Sequence, residues 1–287
     1  MDLSNPQVLK SLLSRHGFHF SHKLGQNFLV NPTVCPRMAE ACGAAPGVGV
    51  LEIGPGVGVL TAALAERAEK VAAVELDRRL LPVLEETLSA FSNVHVIPGD
   101  AMEMDLKALL REEFPGLRAA VCANLPYYLT SPILMKLLSA RLPVESITVM
   151  VQKEAAERLC AAPGQRACGA VSAAVSYYAE PRVLFPVGRG SFLPQPNVDS
   201  AVISLRVREK PAVAVKDEAF FFRVVKACFG KRRKTCENAL SSGLSVPKAA
   251  AAAALERAGV PKTARAEALT LSQFAALADA LYGAQSA

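Results

Sequence analysis

The chain has 287 residues, 51% of them hydrophobic, and a formal net charge of +6. That length suits one large domain with a smaller one, and the composition supplies a sizeable core. No apolar run is long enough to span a bilayer, no signal-peptide pattern opens the chain, and Asp2 with the lack of an Arg/Ser-rich run argues against a transit peptide.

From Val48 to Val207 short apolar runs alternate with amphipathic stretches. Strands are predicted at Gly49–Ile53, Val71–Glu75, Val94–Ile97, Ala119–Ala123 and Ile147–Val151, and helices at Leu60–Ala68, Arg79–Ser89, Leu106–Arg111 and Ile133–Ser139. This alternation implies an α/β fold with a parallel sheet and helices on both of its faces. A helix at Gly169–Tyr178 precedes two further strands, Arg182–Pro186 and Ser200–Val207. A loop, Val187 to Asp199, joins those two, so an antiparallel edge is expected. Beyond the linker Glu209-Lys210-Pro211 four helices are predicted: Ala219–Phe229, Lys234–Leu240, Lys248–Ala258 and Ser272–Leu281. The expected division is therefore 1–207 and an all-helical 208–287.

The seven cysteines form no Cys-x-x-Cys and their number is odd, so neither a disulfide framework nor a zinc site follows. Reduced thiols in a cytoplasmic protein are the expectation. Charge is uneven: Arg206 to Ala239 holds ten Lys/Arg against four Asp/Glu, an excess equal to that of the whole chain. A local excess of this kind favours a polyanion, because each neutralised phosphate releases counterions.

The first strand runs into Glu52-Ile53-Gly54-Pro55-Gly56-Val57-Gly58. Glycines there let the backbone turn sharply and a ligand approach it. Their spacing is not the Gly-x-Gly-x-x-Gly of dinucleotide binders, and no Lys-Ser/Thr follows to cradle a polyphosphate. Glu75 ends the second strand, where a carboxylate can accept ribose hydroxyls. Asp100 follows the third strand in Pro98-Gly99-Asp100-Ala101 and can accept from an adenine amino group. Each alone has a bland reading as a turn glycine, a strand-end acid or a turn Asp; together they line the edge where open α/β sheets bind ligands. S-adenosylmethionine fits this set, with no metal needed.

Asn124-Leu125-Pro126-Tyr127 follows the fourth strand. The Asn124 side-chain oxygen and the Leu125 carbonyl, its turn fixed by Pro126, offer two acceptors to one exocyclic amine. They would draw the lone pair of an adenine N6 out of conjugation and towards a methyl group. Tyr127 offers a face for stacking a flipped base, and Phe192 could cover the other face. The bland alternatives are an Asn-capped, Pro-started helix and a core phenylalanine.

With these motifs the chain resembles the ribosomal RNA adenine dimethyltransferases, most closely their bacterial small-subunit branch. The resemblance runs from about His22 to Leu281. It rests on His22-Lys23-Leu24-Gly25-Gln26-Asn27-Phe28-Leu29, Glu52–Gly58, Asn124–Tyr127, Gln152-Lys153-Glu154, Phe192–Ser200 and the basic Arg232-Arg233-Lys234-Thr235. It implies a Rossmann-like class I methyltransferase sheet with a helical C-terminal domain. Gln26, Asn27 and Leu29 would cap S-adenosylmethionine, Gly54 and Gly56 would meet its amino-acid tail, Glu75 its ribose, and Asp100 and Ala101 its adenine. Asn124 would face both cofactor and base; Leu125, Pro126, Tyr127 and Phe192 would hold the base. Arg223, Lys231, Arg232, Arg233 and Lys234 would bind RNA.

The implied reaction places two methyls on N6 of each of two adjacent adenosines in the 3′-terminal hairpin of small-subunit rRNA, within a pre-ribosomal particle. A monomer without membrane attachment is expected. Two positions depart from the family pattern: Asn31 stands where an Asp is usual, and Cys236 follows Thr235 in place of Leu. The alternatives are large-subunit rRNA adenine dimethylation, a non-catalytic assembly factor and a nicotinamide oxidoreductase. The Phe-x-Pro-x-Pro-x-Val-x-Ser stretch and Arg265–Leu269 favour the small-subunit branch.

Overall fold

The computed structural model describes residues 1–20, 25–231 and 233–285; Arg232 and the His22–Leu24 part of the N-terminal motif lie outside the described residues. The chain divides into two compact units, one of residues 1–156 and 181–207, the other of 157–180 and 208–287.

In the first unit the helix α1 (Pro6–Arg15) starts behind Asn5, whose side chain accepts from Gln7 N, with Pro6 at the first turn where its missing N–H costs nothing. Next come β1 (Phe28–Leu29), α2 (Val34–Ala41), β2 (Val48–Ile53), α3 (Val59–Ala65), β3 (Lys70–Glu75), α4 (Leu81–Thr87), β4 (Val94–Pro98), α5 (Leu106–Glu113), β5 (Arg118–Asn124), α6 (Thr130–Ser139), β6 (Ser146–Gln152) and α7 (Lys153–Leu159). After α8 (Ala170–Tyr178) follow β7 (Ala179–Val187), β8 (Phe192–Leu193) and β9 (Ser200–Val207).

Seven strands form one sheet in the order β4-β3-β2-β5-β6-β9-β7. The pairs β3–β4, β2–β3, β2–β5 and β5–β6 are parallel, and β9 is antiparallel to β6. The mostly parallel sheet and the antiparallel strand near its edge are as the sequence predicts. Every residue of β2 is buried, so both its faces are covered, as its apolar run Val48–Leu51 requires. Met38 and Leu64 pack with Val50 and Val71 in one core cluster; Leu9 and Leu12 pack with Val83 and Leu84 in another.

The predicted loop Val187–Asp199 is not wholly a loop. Its Phe192 and Leu193 form β8, which pairs antiparallel with β1. Two residues are too few to show a strand period, so this ribbon left no pattern in the sequence.

In the second unit α9 (Glu218–Phe229) is capped by Asp217, whose side chain accepts from Phe220 N. The helices α10 (Cys236–Leu244), α11 (Lys248–Arg257) and α12 (Leu271–Gln285) follow. The compact units differ from the 1–207 and 208–287 division in one segment, 157–180, which belongs with the helices. The reason is aromatic: Tyr177 stacks on Phe221 at 5.0 Å and Tyr178 on Phe222 at 5.6 Å. The two phenols also donate to the Glu218 carboxylate, at 3.2 and 2.6 Å. All seven cysteines are free thiols, five of them buried.

Candidate active site

The sheet order reverses between β2 and β5, because the chain proceeds from β2 outward to β4 and then returns to β5 on the other side. Ligands of open α/β sheets sit outside the strand C-termini at such a switch point. One cleft lies there. Its lining contains Gln26, Asn27, Leu29, Gly54, Gly56, Glu75, Asp100, Ala101, Asn124, Leu125, Pro126, Tyr127 and Phe192. Residues widely separated in sequence thus meet in one place.

The glycine turn is shaped by backbone conformation and by close approach. Gly54 and Gly56 have φ of +72° and +62°, a region costly for residues with a Cβ. A Cβ on Gly56 would also meet the Phe28 ring at 3.1 Å. Glu75 ties the turn to the end of β3: its Oε2 accepts from Gly56 N at 3.1 Å and its Oε1 from Asp77 N at 2.7 Å. A carboxylate has about four acceptor positions, so both oxygens keep capacity for hydroxyl donors. Burial pushes the Glu75 carboxyl above its ordinary range, against the two backbone donors that pull it down. Beside it, Asp100 Oδ1 accepts from Met102 N at 2.8 Å, which leaves Oδ2 without a partner among the described residues. Lys136 on α6 donates to the carbonyls of Met102 and Met104, at 2.5 and 2.9 Å, and so holds the loop that carries Asp100.

The N-terminal residues close over this region. Gln26 Nε2 donates to Asp77 Oδ2 at 2.8 Å, and Asp77 is also held by Arg79. Asn27 Nδ2 donates to the Gly25 carbonyl, while the Asn27 carbonyl accepts from Asn124 Nδ2 at 3.3 Å. The cap and the end of β5 are therefore bonded directly. The departure at Asn31 has a use: its amide donates to Ser191 Oγ at 3.1 Å while its Oδ1 accepts from Thr33 N. An ionised Asp would keep the bond from Thr33 N, but towards Ser191 it could only accept from the hydroxyl and not donate to it.

Because its Nδ2 is engaged by Asn27, Asn124 has one orientation and its Oδ1 accepts no hydrogen bond among the described residues. Leu125 is buried at 2% exposure, and its N–H donates to the Met150 carbonyl on β6. The Tyr127 hydroxyl shares a hydrogen bond of 2.8 Å with Ser200 Oγ. Phe192 is 4% exposed and packs with Val187 and Val202, so it forms a wall of the cleft rather than a free loop aromatic. The exposed aromatic at the site is Tyr128, at 54%, whose position drew no expectation. Glu52 lies at the cleft floor, fully buried, with Oε2 unpartnered and its carboxyl pushed up to about 8 by burial.

The cleft fits an adenosyl sulfonium: free carboxylate capacity at Glu75 and Asp100 for hydroxyl and amino groups, and glycines at 54 and 56 whose bare backbone a tail can approach. Of the expected RNA-binding residues, Arg223 is exposed on α9, and Lys231, Arg233 and Lys234 are exposed between α9 and α10. They belong to the second unit and line no part of the cleft.

A family model described as ribosomal RNA adenine dimethylase matches residues 17–282. Ribosomal RNA small subunit methyltransferase A of Shouchella clausii is 49% identical over 284 residues, spanning 98% of this chain and 96% of the relative. The protein of that name from Geobacillus thermodenitrificans is 47% identical over 284 residues, with 98% and 97% covered. Among solved structures, a dimethyladenosine transferase from Plasmodium falciparum superposes with a TM-score of 0.74 at 26% identity, covering 87% of this chain and 95% of that one. The 23S rRNA methyltransferase ErmE does so with 0.68 at 29% identity, covering 89% and 100%.

Proposed function

The chain belongs to the ribosomal RNA adenine dimethylase family, S-adenosylmethionine-dependent rRNA methyltransferases, and on that premise we propose that it methylates small-subunit rRNA. The substrate in this reading is N6 of two adjacent adenosines in the 3′-terminal hairpin, each receiving two methyls. The chain works as a monomer on a pre-ribosomal particle in the cytoplasm. The relatives named for the small subunit, at 47 and 49% identity over nearly the full length, support this branch over large-subunit dimethylation.

S-adenosylmethionine supplies an electrophilic methyl group. The protein's residues bind, orient and polarise. Glu75 accepts from the ribose, Asp100 with Ala101 receives the adenine, Gly54 and Gly56 admit the amino-acid tail, and Gln26, Asn27 and Leu29 close over it. In the first transfer Asn124 Oδ1 and the Leu125 carbonyl accept the two N6 protons of the target adenine, and in the second one of them accepts the single proton that remains, which draws the N6 lone pair out of ring conjugation and towards the methyl group. Methylation makes the N6 proton acidic, so solvent can remove it and no buried base is needed. Tyr127 stacks on the extruded ring, which lies against the wall formed by Phe192.

The observation that carries the reading is the single unengaged acceptor of Asn124, fixed at the end of β5 in the same cleft as Glu75 and Asp100. The test is transfer of labelled methyl to undermethylated small and large subunits, with the modified bases mapped. Dimethyladenosine at two adjacent small-subunit positions is expected. Label confined to the large subunit would move the chain to the other branch, and no label with cofactor still bound would favour an assembly factor.

A further inference from the structure

Ser200 ends the Phe-x-Pro-x-Pro-x-Val-x-Ser stretch, yet nothing in the reaction described above uses it. Its side chain is fully buried, at 0% exposure, at the start of β9. Its Oγ is 2.8 Å from the Tyr127 hydroxyl. The sheet register explains why the two meet. Asn124, Met150 and Val202 form one row across β5, β6 and β9, and Ser200 lies two residues before Val202, on the same face. The opposite residue of β6 is Gln152. The start of β9 is itself held, since Lys153 N donates to the Asp199 carbonyl and Arg189 N to the Asp199 carboxylate. Tyr127, by contrast, sits on a single 3-10 turn, Tyr127–Leu129, and no residue of that turn is buried.

A half-buried ring on a short turn is poorly fixed by its own backbone. We propose that Ser200 is a positioning residue, which fixes the Tyr127 ring through its hydroxyl in the plane that stacks on the target adenine. This rests on the small-subunit reading above. Burial holds the Tyr127 phenol above its ordinary range, so the pair stays neutral and hydrogen-bonded at working pH. The bond also joins the two parts of the base site, because Ser200 and the Phe192 wall lie on one continuous stretch. Ring tilt at Tyr127 and wall position are then set by one segment of chain, residues 192–200.

The test uses the full chain, undermethylated small subunits and three variants: Ser200→Ala, Tyr127→Phe and the double variant. Tyr127→Phe keeps the stacking ring and removes only the hydroxyl, so it guards against misfolding of Ser200→Ala. Each single variant is expected to lower kcat by about 10-fold, within the range that small misplacements cost, and the double variant should lose no more than either single. The dissociation constant of S-adenosylmethionine should stay within two-fold of the unmodified chain. With 2-aminopurine at the target position, the stacking quench should weaken in both singles. The proposal is overturned if both singles keep kcat within two-fold, if their losses multiply in the double variant, or if cofactor binding falls as far as kcat. Transfer to neither subunit by the unmodified chain would overturn the small-subunit reading and this inference with it.

Discussion

Asn124 shows how one amide can be given a single task. Its Nδ2 is spent on the Asn27 carbonyl, which fixes the side chain and leaves Oδ1 to accept. Asn124→Ala should therefore lower kcat at least about 100-fold, the scale on which loss of one placed dipole acts. Cofactor affinity should fall only a few-fold, as titration calorimetry would read. Equal losses in both would show that Asn124 serves the cofactor and not N6. Glu52 gives a prediction of another kind. Its carboxyl is pushed from the ordinary range up to about 8 in the folded chain, so the unfolded chain ionises first as pH rises. The stability this group contributes is complete below about 4.3 and is lost progressively as pH rises to about 8. At ~1.4 kcal/mol per pKa unit the loss is on the order of a few kcal/mol. Glu52→Gln should flatten the decline in urea midpoint between pH 5 and 8.5; an identical slope in both proteins would refute the assignment.

Among the elements, α6 connects the base half of the cleft to the cofactor half. It begins just after Tyr127–Leu129, and its Lys136 holds the loop bearing Asp100. Lys136→Met should weaken S-adenosylmethionine binding by roughly 1–2 kcal/mol, the value of charge-assisted bonds to two carbonyls, although Lys136 lies outside the cleft lining. Unchanged affinity would mean that the loop holds itself. The elements also mark where the sequence could be read. The parallel strands were legible because β2 and β5 carry the apolar runs Val48–Leu51 and Ala119–Ala123, and the glycine turn and Asn-Leu-Pro-Tyr because each is contiguous. The Tyr127–Ser200 bond spans 73 positions, and β1 and β8 have two residues each; neither has a local signature. Helices α1 and α2, which precede the strand–helix alternation, also went unpredicted, as did the short α7 within it.

At the scale of the molecule, charge and chemistry occupy different units. The cleft lies wholly in the first unit, and the exposed Lys231, Arg233 and Lys234 in the second. Changing those three to Ala should weaken binding to small subunits and reduce the slope of log K against log salt by up to ~3, with transfer at saturating subunit unchanged. An unaltered slope, read by filter binding across salt concentrations, would place the RNA contacts elsewhere. The boundary between units was half-legible. The linker at Glu209-Lys210-Pro211 announces itself, but the membership of 157–180 depends on ring stacking between Tyr177 and Phe221, which composition does not encode. The ribbon Phe28↔Leu193 and Leu29↔Phe192 makes the arm over the cofactor and the wall behind the base one mechanical piece. In the proposed function, release of spent cofactor and withdrawal of a finished adenosine would both work against that one piece. A substitution that loosens either strand should therefore alter the exchange of both ligands together.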